Sequence, residues 1–260
     1  MVGEYKLFAQ ERHDKIIEIL HREGKIIVKS LSYNFNVTED CIRKDLKILE
    51  GKKLLERTYG GAVLIRKSAP IQDVEIRRTI NIPSKQVIAS KTMDIIKENE
   101  TIFLDISTTN ILLAEELAKS NKKITVVTNM LDIVSILNKS YNNIKVICTG
   151  GVLCKELDGF TGSMAIEILS NYRPTKCFIG SCGVNILDKS VTTFDVEDGN
   201  TKKAIISISK QIFLVMENSK FYIDGTYKFA TLYDIDTIIT EDTPDRDIVD
   251  LLSKTNTKII

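Results

Sequence analysis

The 260 residues predict an α/β protein in two parts, an N-terminal winged helix-turn-helix domain followed by a larger, doubly wound α/β domain. Three observations carry that expectation. Near the start, two short helical patterns precede a helix with a basic outer face and a glycine-turned hairpin; between 66 and 85 the periodicity breaks into Ser68, Pro70, Pro83 and mixed charge; and from 88 onward apolar strands alternate with amphipathic helices. Composition agrees, because 43% hydrophobic and 27% charged residues suit a globular chain and exclude a disordered or fibrous one.

The first helix is expected over 12–23, where Ile16, Ile17, Ile19 and Leu20 form an apolar stripe and Gly24 stops it. His13 and His21 lie on this helix without a ligand cluster and are read as solvated. A β-prone run over 25–28 leads to a brief helix over 30–35, and Asn36-Val37 makes a tight turn. The helix over 38–49 is capped by the Thr38 hydroxyl, with Glu39 and Asp40 complementing its dipole. Ile42, Leu46 and Leu49 recur at helical spacing and face inward, which turns Arg43, Lys44 and Lys47 outward. Strands over 54–57 and 62–65 then flank Thr58-Tyr59-Gly60-Gly61, whose glycine pair supplies the positive φ of a hairpin turn.

Beyond the interruption, helices are expected over 88–97, 111–120, 131–139, 202–209 and 246–254. Strands are expected over 101–105, 124–128, 144–148, 176–180, 211–216, 237–240 and 257–260. Continuous apolar strands of this kind belong to a parallel sheet covered on both faces. The domains therefore run 1–66, linker 67–86 and 87–260. Five scattered cysteines without a C-x-x-C spacing read as reduced, buried thiols and point to neither a metal site nor a disulfide framework. The apolar runs are too short for a bilayer span, and the acidic first fourteen residues lack a signal peptide's apolar core, so a soluble cytoplasmic chain with no membrane partner is expected.

The net charge of +1 excludes an indiscriminate polycation, yet residues 41–67 hold eight Lys or Arg against three acids. A bounded basic patch on the second helix of a helix-turn-helix suits double-stranded DNA: outward Arg and Lys meet base edges or phosphates in the major groove while the wing reaches the flanking backbone. In the larger domain, Ser107-Thr108-Thr109 after a strand ending in Asp105 offers hydroxyls and helix-start N–H groups to an anion. Asp105, Asn129, Gly151 and Gly183 all fall at carboxyl ends of strands, where open α/β sheets bind ligands. Lys202 and Lys220 are then candidates to neutralise a phosphate, and Asp195 or Glu197 to accept hydroxyl protons.

The string Val37-Thr38-Glu39-Asp40-Cys41-Ile42-Arg43-Lys44-Asp45-Leu46, followed by Arg57-Thr58-Tyr59-Gly60-Gly61-Ala62-Val63, resembles the helix-turn-helix signature of the DeoR-family regulators. Phe103-Leu104-Asp105-Ile106-Ser107-Thr108-Thr109, Val127-Thr128-Asn129, Thr149-Gly150-Gly151, Thr192-Thr193 with Asp195 and Glu197, and Ser219-Lys220-Phe221 resemble that family's sensor motifs in order. The resemblance implies a repressor of a sugar or nucleoside catabolic operon, released by a phosphorylated sugar, with a sensor domain similar to ribose-5-phosphate isomerase folds. It implies DNA contacts at Thr38, Cys41, Arg43, Lys44, Lys47, Arg57, Tyr59, Gly60 and Gly61, and a homo-oligomer, dimer or tetramer, matched to repeated half-sites. No cofactor, catalytic residue or metal ligand is expected.

This sequence also departs from the family pattern. Cys41 stands where Thr or Ser is usual, Lys44 where Arg is commoner, Ser107 in place of a glycine, and Ser181-Cys182-Gly183 in place of Val-Asp-Gly. The alternative reading is a sugar-phosphate isomerase with an appended DNA-binding module, using Asp195, Glu197 or Asp198 to shuttle a proton between adjacent carbons.

Overall fold

The computed structural model describes residues 8–70, 73–139 and 143–260. It forms two compact units, one running up to Lys67 with Asp245–Leu251, the other Ser68–Pro244 with Leu252–Ile260.

In the first unit, helix α1 (Ala9–Glu23) ends where Gly24 adopts φ 73° and returns its N–H to the Leu20 carbonyl at 2.7 Å. Strand β1 (Lys25–Ile27), helix α2 (Val28–Phe35), helix α3 (Glu39–Gly51) and strands β2 (Glu56–Thr58) and β3 (Gly61–Val63) follow. The strands pair antiparallel in the order β1-β3-β2. Ile16, Leu20, Leu31, Ile42, Leu46, Leu49, Leu55 and Ala62 close into one apolar core.

One prediction for this unit is corrected. His13 is buried, not solvated, with Nε2 3.0 Å from Asp45 Oδ1. Asp45 also accepts two hydrogen bonds from the Arg12 guanidinium, at 2.6 and 3.0 Å. Burial alone raises the Asp45 pKa, but the hydrogen bonds from Arg12 and His13 outweigh it and hold the carboxyl below its usual range. Periodicity hides this cluster, because it registers apolar side chains while the polar groups here are buried as a matched set.

The second unit opens with β4 (Lys67–Ser68), α4 (Val74–Thr79) and α5 (Ile82–Ile95). Much of the stretch read as a linker is thus helical. Pro83 sits in the first turn of α5, where a missing N–H costs nothing, and Val74 is buried. There follow β5 (Thr101–Leu104), α6 (Thr108–Lys119), β6 (Thr125–Thr128), α7 (Leu131–Asn138), β7 (Lys145–Cys148), β8 (Val152–Cys154), β9 (Gly159–Thr161) and α8 (Ser163–Leu169). The chain continues through β10 (Lys176–Ile179), β11 (Gly183–Asn185), β12 (Ser190–Thr193), α9 (Val196–Ile208), β13 (Ile212–Val215), β14 (Ile223–Asp224), β15 (Tyr227–Thr231) and β16 (Thr237–Ile239), then α10 (Arg246–Leu252), which but for its last residue belongs to the first unit, and β17 (Lys258–Ile259).

Seven strands make the main sheet in the order β17-β16-β13-β10-β5-β6-β7, all parallel. Ile102-Phe103-Leu104 and Cys177-Phe178-Ile179 are fully buried at consecutive positions, so both faces of the sheet are covered. The chain winds outward from β5 to β7, then restarts at β10 on the other side of β5. The β5/β10 boundary is the topological switch point.

The sequence did not announce the antiparallel sheet β11-β12-β15 or the pair β8-β9. Helix α9 starts six residues earlier than periodicity indicates, because Asp195 caps it through Asp198 N–H at 2.8 Å. The five cysteines are free, but only Cys177 is buried as expected; Cys41, Cys154 and Cys182 are half-buried, and Cys148 is exposed at the end of β7, the edge strand of the main sheet. Among the described residues, no helix is long and apolar enough to cross a membrane.

Candidate functional site

Two sites emerge, one in each unit. On α3, Thr38 caps the helix by accepting Cys41 N–H at 3.3 Å, and Cys41 is half-buried. Arg43, Lys44 and Lys47 lie on the exposed face. Arg43 is held along the helix by Glu39 at 2.6 Å and Asp40 at 2.8 Å, so a phosphate has to compete with two carboxylates for it. Buried Asp45 ties the opposite face to α1, fixing how the basic face is presented.

The wing turns on Tyr59 and Gly60, both exposed at its tip, with Thr58 paired to Gly61. Only Gly60 takes positive φ, at 86°. Gly61 is required for a different reason than turn geometry: a Cβ there would fall 2.0 Å from the Ile26 carbonyl oxygen of β1. Arg57, on the exposed strand β2, lies 3.6 Å from Glu50.

The second site is a cavity of about 200 Å³ at the switch point. Its walls come from Ser107 and Thr108 after β5, Gly180-Ser181-Cys182 after β10, and Glu217 after β13. Arg77, Lys202 and Lys220 bring cationic groups to it. Ser107 caps α6 through Thr109 N–H at 3.2 Å, leaving the helix start beside the cavity. Gly180 lets the two strand ends meet, since a Cβ there would lie 2.8 Å from that of Ser107.

Asp105 stands behind this wall, fully buried. It accepts hydrogen bonds from Gly180 N–H at 3.1 Å and Lys202 Nζ at 2.5 Å. Burial, reinforced by the charge of Asp198 and opposed by Lys202, pushes the Asp105 carboxyl up to about 6. Burial would strip Lys202 of its proton, but the two carboxylates outweigh it and raise its pKa, so the ammonium persists. Asp198 reaches the cavity, accepts from Thr193 Oγ1 at 2.7 Å and sits 3.3 Å from Lys202. Glu217 is buried and would be pushed up by desolvation, yet Lys220 and Lys85 hold it below the usual range. Lys85 clamps the end of α4 by donating to the carbonyls of Arg77 at 2.5 Å and Ile80 at 2.7 Å, while burial pushes its own pKa down.

The sequence-predicted ligand residues divide accordingly. Ser107, Thr108, Lys202 and Lys220 converge on the cavity, with Asp105 and Thr109 supporting them from behind. Asn129 and Gly151 follow β6 and β7, one and two strands away from the switch point, and do not line the cavity. Asn129 is buried, bonding through Nδ2 to the Phe160 carbonyl. Gly183 lies within β11, Asp195 is spent as the α9 cap, and Glu197 is exposed beside Gly162; none of the three lines the cavity.

Sequence reading missed Arg77 and Glu217. Glu217 follows a strand just as Asp105 does, so the same rule applied to β13 would have found it. Arg77 was concealed in the stretch read as linker.

A family model for the DeoR-like helix-turn-helix domain matches residues 12–68, and one for the DeoR C-terminal sensor domain matches residues 80–242. The uncharacterized HTH-type transcriptional regulator YulB of Bacillus subtilis (strain 168) is 33% identical over 90% of this chain and 90% of its own. The lactose phosphotransferase system repressor of Lactococcus lactis subsp. lactis is 32% identical over 89% and 91%, and the glycerol-3-phosphate regulon repressor of Escherichia coli (strain K12) 29% over 94% and 95%. Among solved structures, ribose 5 phosphate isomerase A from Neisseria gonorrhoeae superposes on 54% of this chain and 53% of its own, with TM-score 0.38 and 20% identity. With α3 inside the first matched segment and the strand ends that wall the cavity inside the second, the chain belongs to the DeoR family of transcriptional regulators.

Proposed function

We propose that this regulator represses a sugar-catabolic operon and that a phosphorylated sugar bound at the switch-point cavity releases it from its operator. The observation that carries the reading is the meeting of Arg77, Lys202 and Lys220 with the start of α6 at the carboxyl ends of β5 and β10. Fixed cations and a helix start suit a phosphate, and Asp198 with Thr193 suits sugar hydroxyls. The names of two relatives, repressors of a lactose phosphotransferase system and of a glycerol-3-phosphate regulon, support the same ligand class. In the first unit, Lys44, Lys47 and Arg43 meet the major groove from a helix capped by Thr38, with Cys41 at its start, and Arg57 and the Tyr59-Gly60-Gly61 wing follow the flanking backbone. A homodimer or tetramer presents two such helices to paired half-sites.

A receptor suits the cavity better than an isomerase. Of the carboxylates expected to shuttle a proton, Asp195 and Glu197 lie outside the cavity, and Asp198, the one that reaches it, is paired with the Lys202 ammonium. The test is a gel shift on the DNA upstream of the protein's own operon, repeated with a panel of sugar phosphates. Binding at low salt that one of them abolishes is the expected result. No binding, or turnover of a sugar phosphate by the purified protein, would overturn the reading.

A further inference from the structure

One wall of the cavity has no part in the anion site described above. Ala69 and Pro70 line it, and they directly follow the point at Lys67–Ser68 where the chain passes from one compact unit to the other. Pro70 has no N–H to donate and biases Ala69 to an extended backbone. Ala69 N–H donates to the Asp224 carbonyl at 2.8 Å, continuing the pairing of β4 with β14.

The segment that receives the strap is also cavity wall, through Lys220 and Ile223. It is firmly backed. A Cβ on Gly183 would fall 1.8 Å from the Ile223 carbonyl oxygen, so β11 runs directly against β14, and Lys220 Nζ donates to the Ser181 carbonyl at 2.9 Å. Past the strap, α4 extends Arg77 to the cavity while its neighbour Arg78 is anchored to Asp132 and Asp158. The strap therefore meets a wall whose neighbouring parts are held by these contacts.

Resting on the reading of this cavity as a phosphate-ester site, we propose that residues 68–70 are an effector-contacting strap. A ligand drawn to Arg77 and Lys220 packs against Ala69 and Pro70 and alters the hold of Ala69 N–H on Asp224. Occupancy is thereby registered in the covalent connection to the DNA-binding unit. The Ala69 hydrogen bond is by itself a modest hold, and a ligand touching one arrangement of the strap better than another is enough to bias it.

The full-length protein is titrated onto operator DNA with ribose 5-phosphate, glucose 6-phosphate, fructose 6-phosphate, glycerol 3-phosphate and inorganic phosphate in turn. Amide exchange of the peptide spanning 66–70 is followed by mass spectrometry in parallel. The probe that weakens operator binding is expected to change exchange at Ala69. Ala69→Leu, which thickens the wall, is expected to lower sensitivity to that probe about tenfold while leaving operator affinity without it unchanged. If Ala69→Leu melts early, exchange in the unaltered chain decides. A probe that weakens operator binding without changing exchange at Ala69, and to which Ala69→Leu responds as the unaltered chain does, overturns the strap alone. If no sugar phosphate affects operator binding, the cavity reading fails and the strap fails with it.

Discussion

Asp45 carries more of the DNA-binding unit than any basic residue beside it, because it is a buried charge on the inner face of α3 with both partners on α1. Asp45→Asn is expected to cost about 3 kcal/mol, the usual penalty for removing one side of a buried ion pair. Urea denaturation of the two proteins checks it. The pH dependence has a definite sign: the carboxyl pKa is lowered in the fold, so its stabilisation is full above the ordinary value of 3.8 and is lost as pH falls through the lowered one. The gap between wild type and variant should close in acid; a gap that ignores pH would mean the ion pair is not its source. Asp105 has the opposite sign. Its raised pKa makes the folded chain favour the proton between 3.8 and about 6, so stability falls as pH rises through that window. Asp105→Asn should flatten that slope in melts taken at a series of pH values.

At the scale of elements, α3 and the wing divide their work between contact and shape. Lys44 and Lys47 are exposed cations, and replacing each by Ala should reduce the slope of log affinity against log salt by about 0.9 per lost phosphate contact. Anisotropy titrations over a range of salt concentrations measure it; an unchanged slope would remove these residues from the interface. The two wing glycines should separate cleanly. Gly60→Ala meets open space and bears only the cost of positive φ, about 1 kcal/mol. Gly61→Ala drives a methyl into the β1 backbone and should cost about 2–3 kcal/mol, nearer the upper end of overpacking. Thermal melts of both variants decide whether the glycine pair serves one purpose or two.

Across the whole molecule, the two sites should come apart under mutation. Lys220→Ala is expected to leave operator affinity without effector unchanged and to weaken the effector's action tenfold or more, at about 1.5–3 kcal/mol for a lost charge-assisted hydrogen bond. Paired titrations of operator and sugar phosphate test that split, and a variant that loses operator binding itself would contradict it. The architecture was legible in the sequence where each signal is local. The Ile42, Leu46 and Leu49 stripe, the Thr38 cap and the alternation of apolar strands with helices all depend on neighbours within a turn or a strand. The sequence by itself thus determined a basic-faced helix before a hairpin, a parallel sheet, and an anion-ready turn at Ser107-Thr108. Only the tertiary structure decided which strand ends share a cavity. Strand order, set by packing between elements distant in the chain, put β10 beside β5 and β13 beside β10, and sent Asn129 and Gly151 to the other side. It also matched buried Asp45 to Arg12 and His13, since a buried charge is stable only with partners that no local spacing specifies.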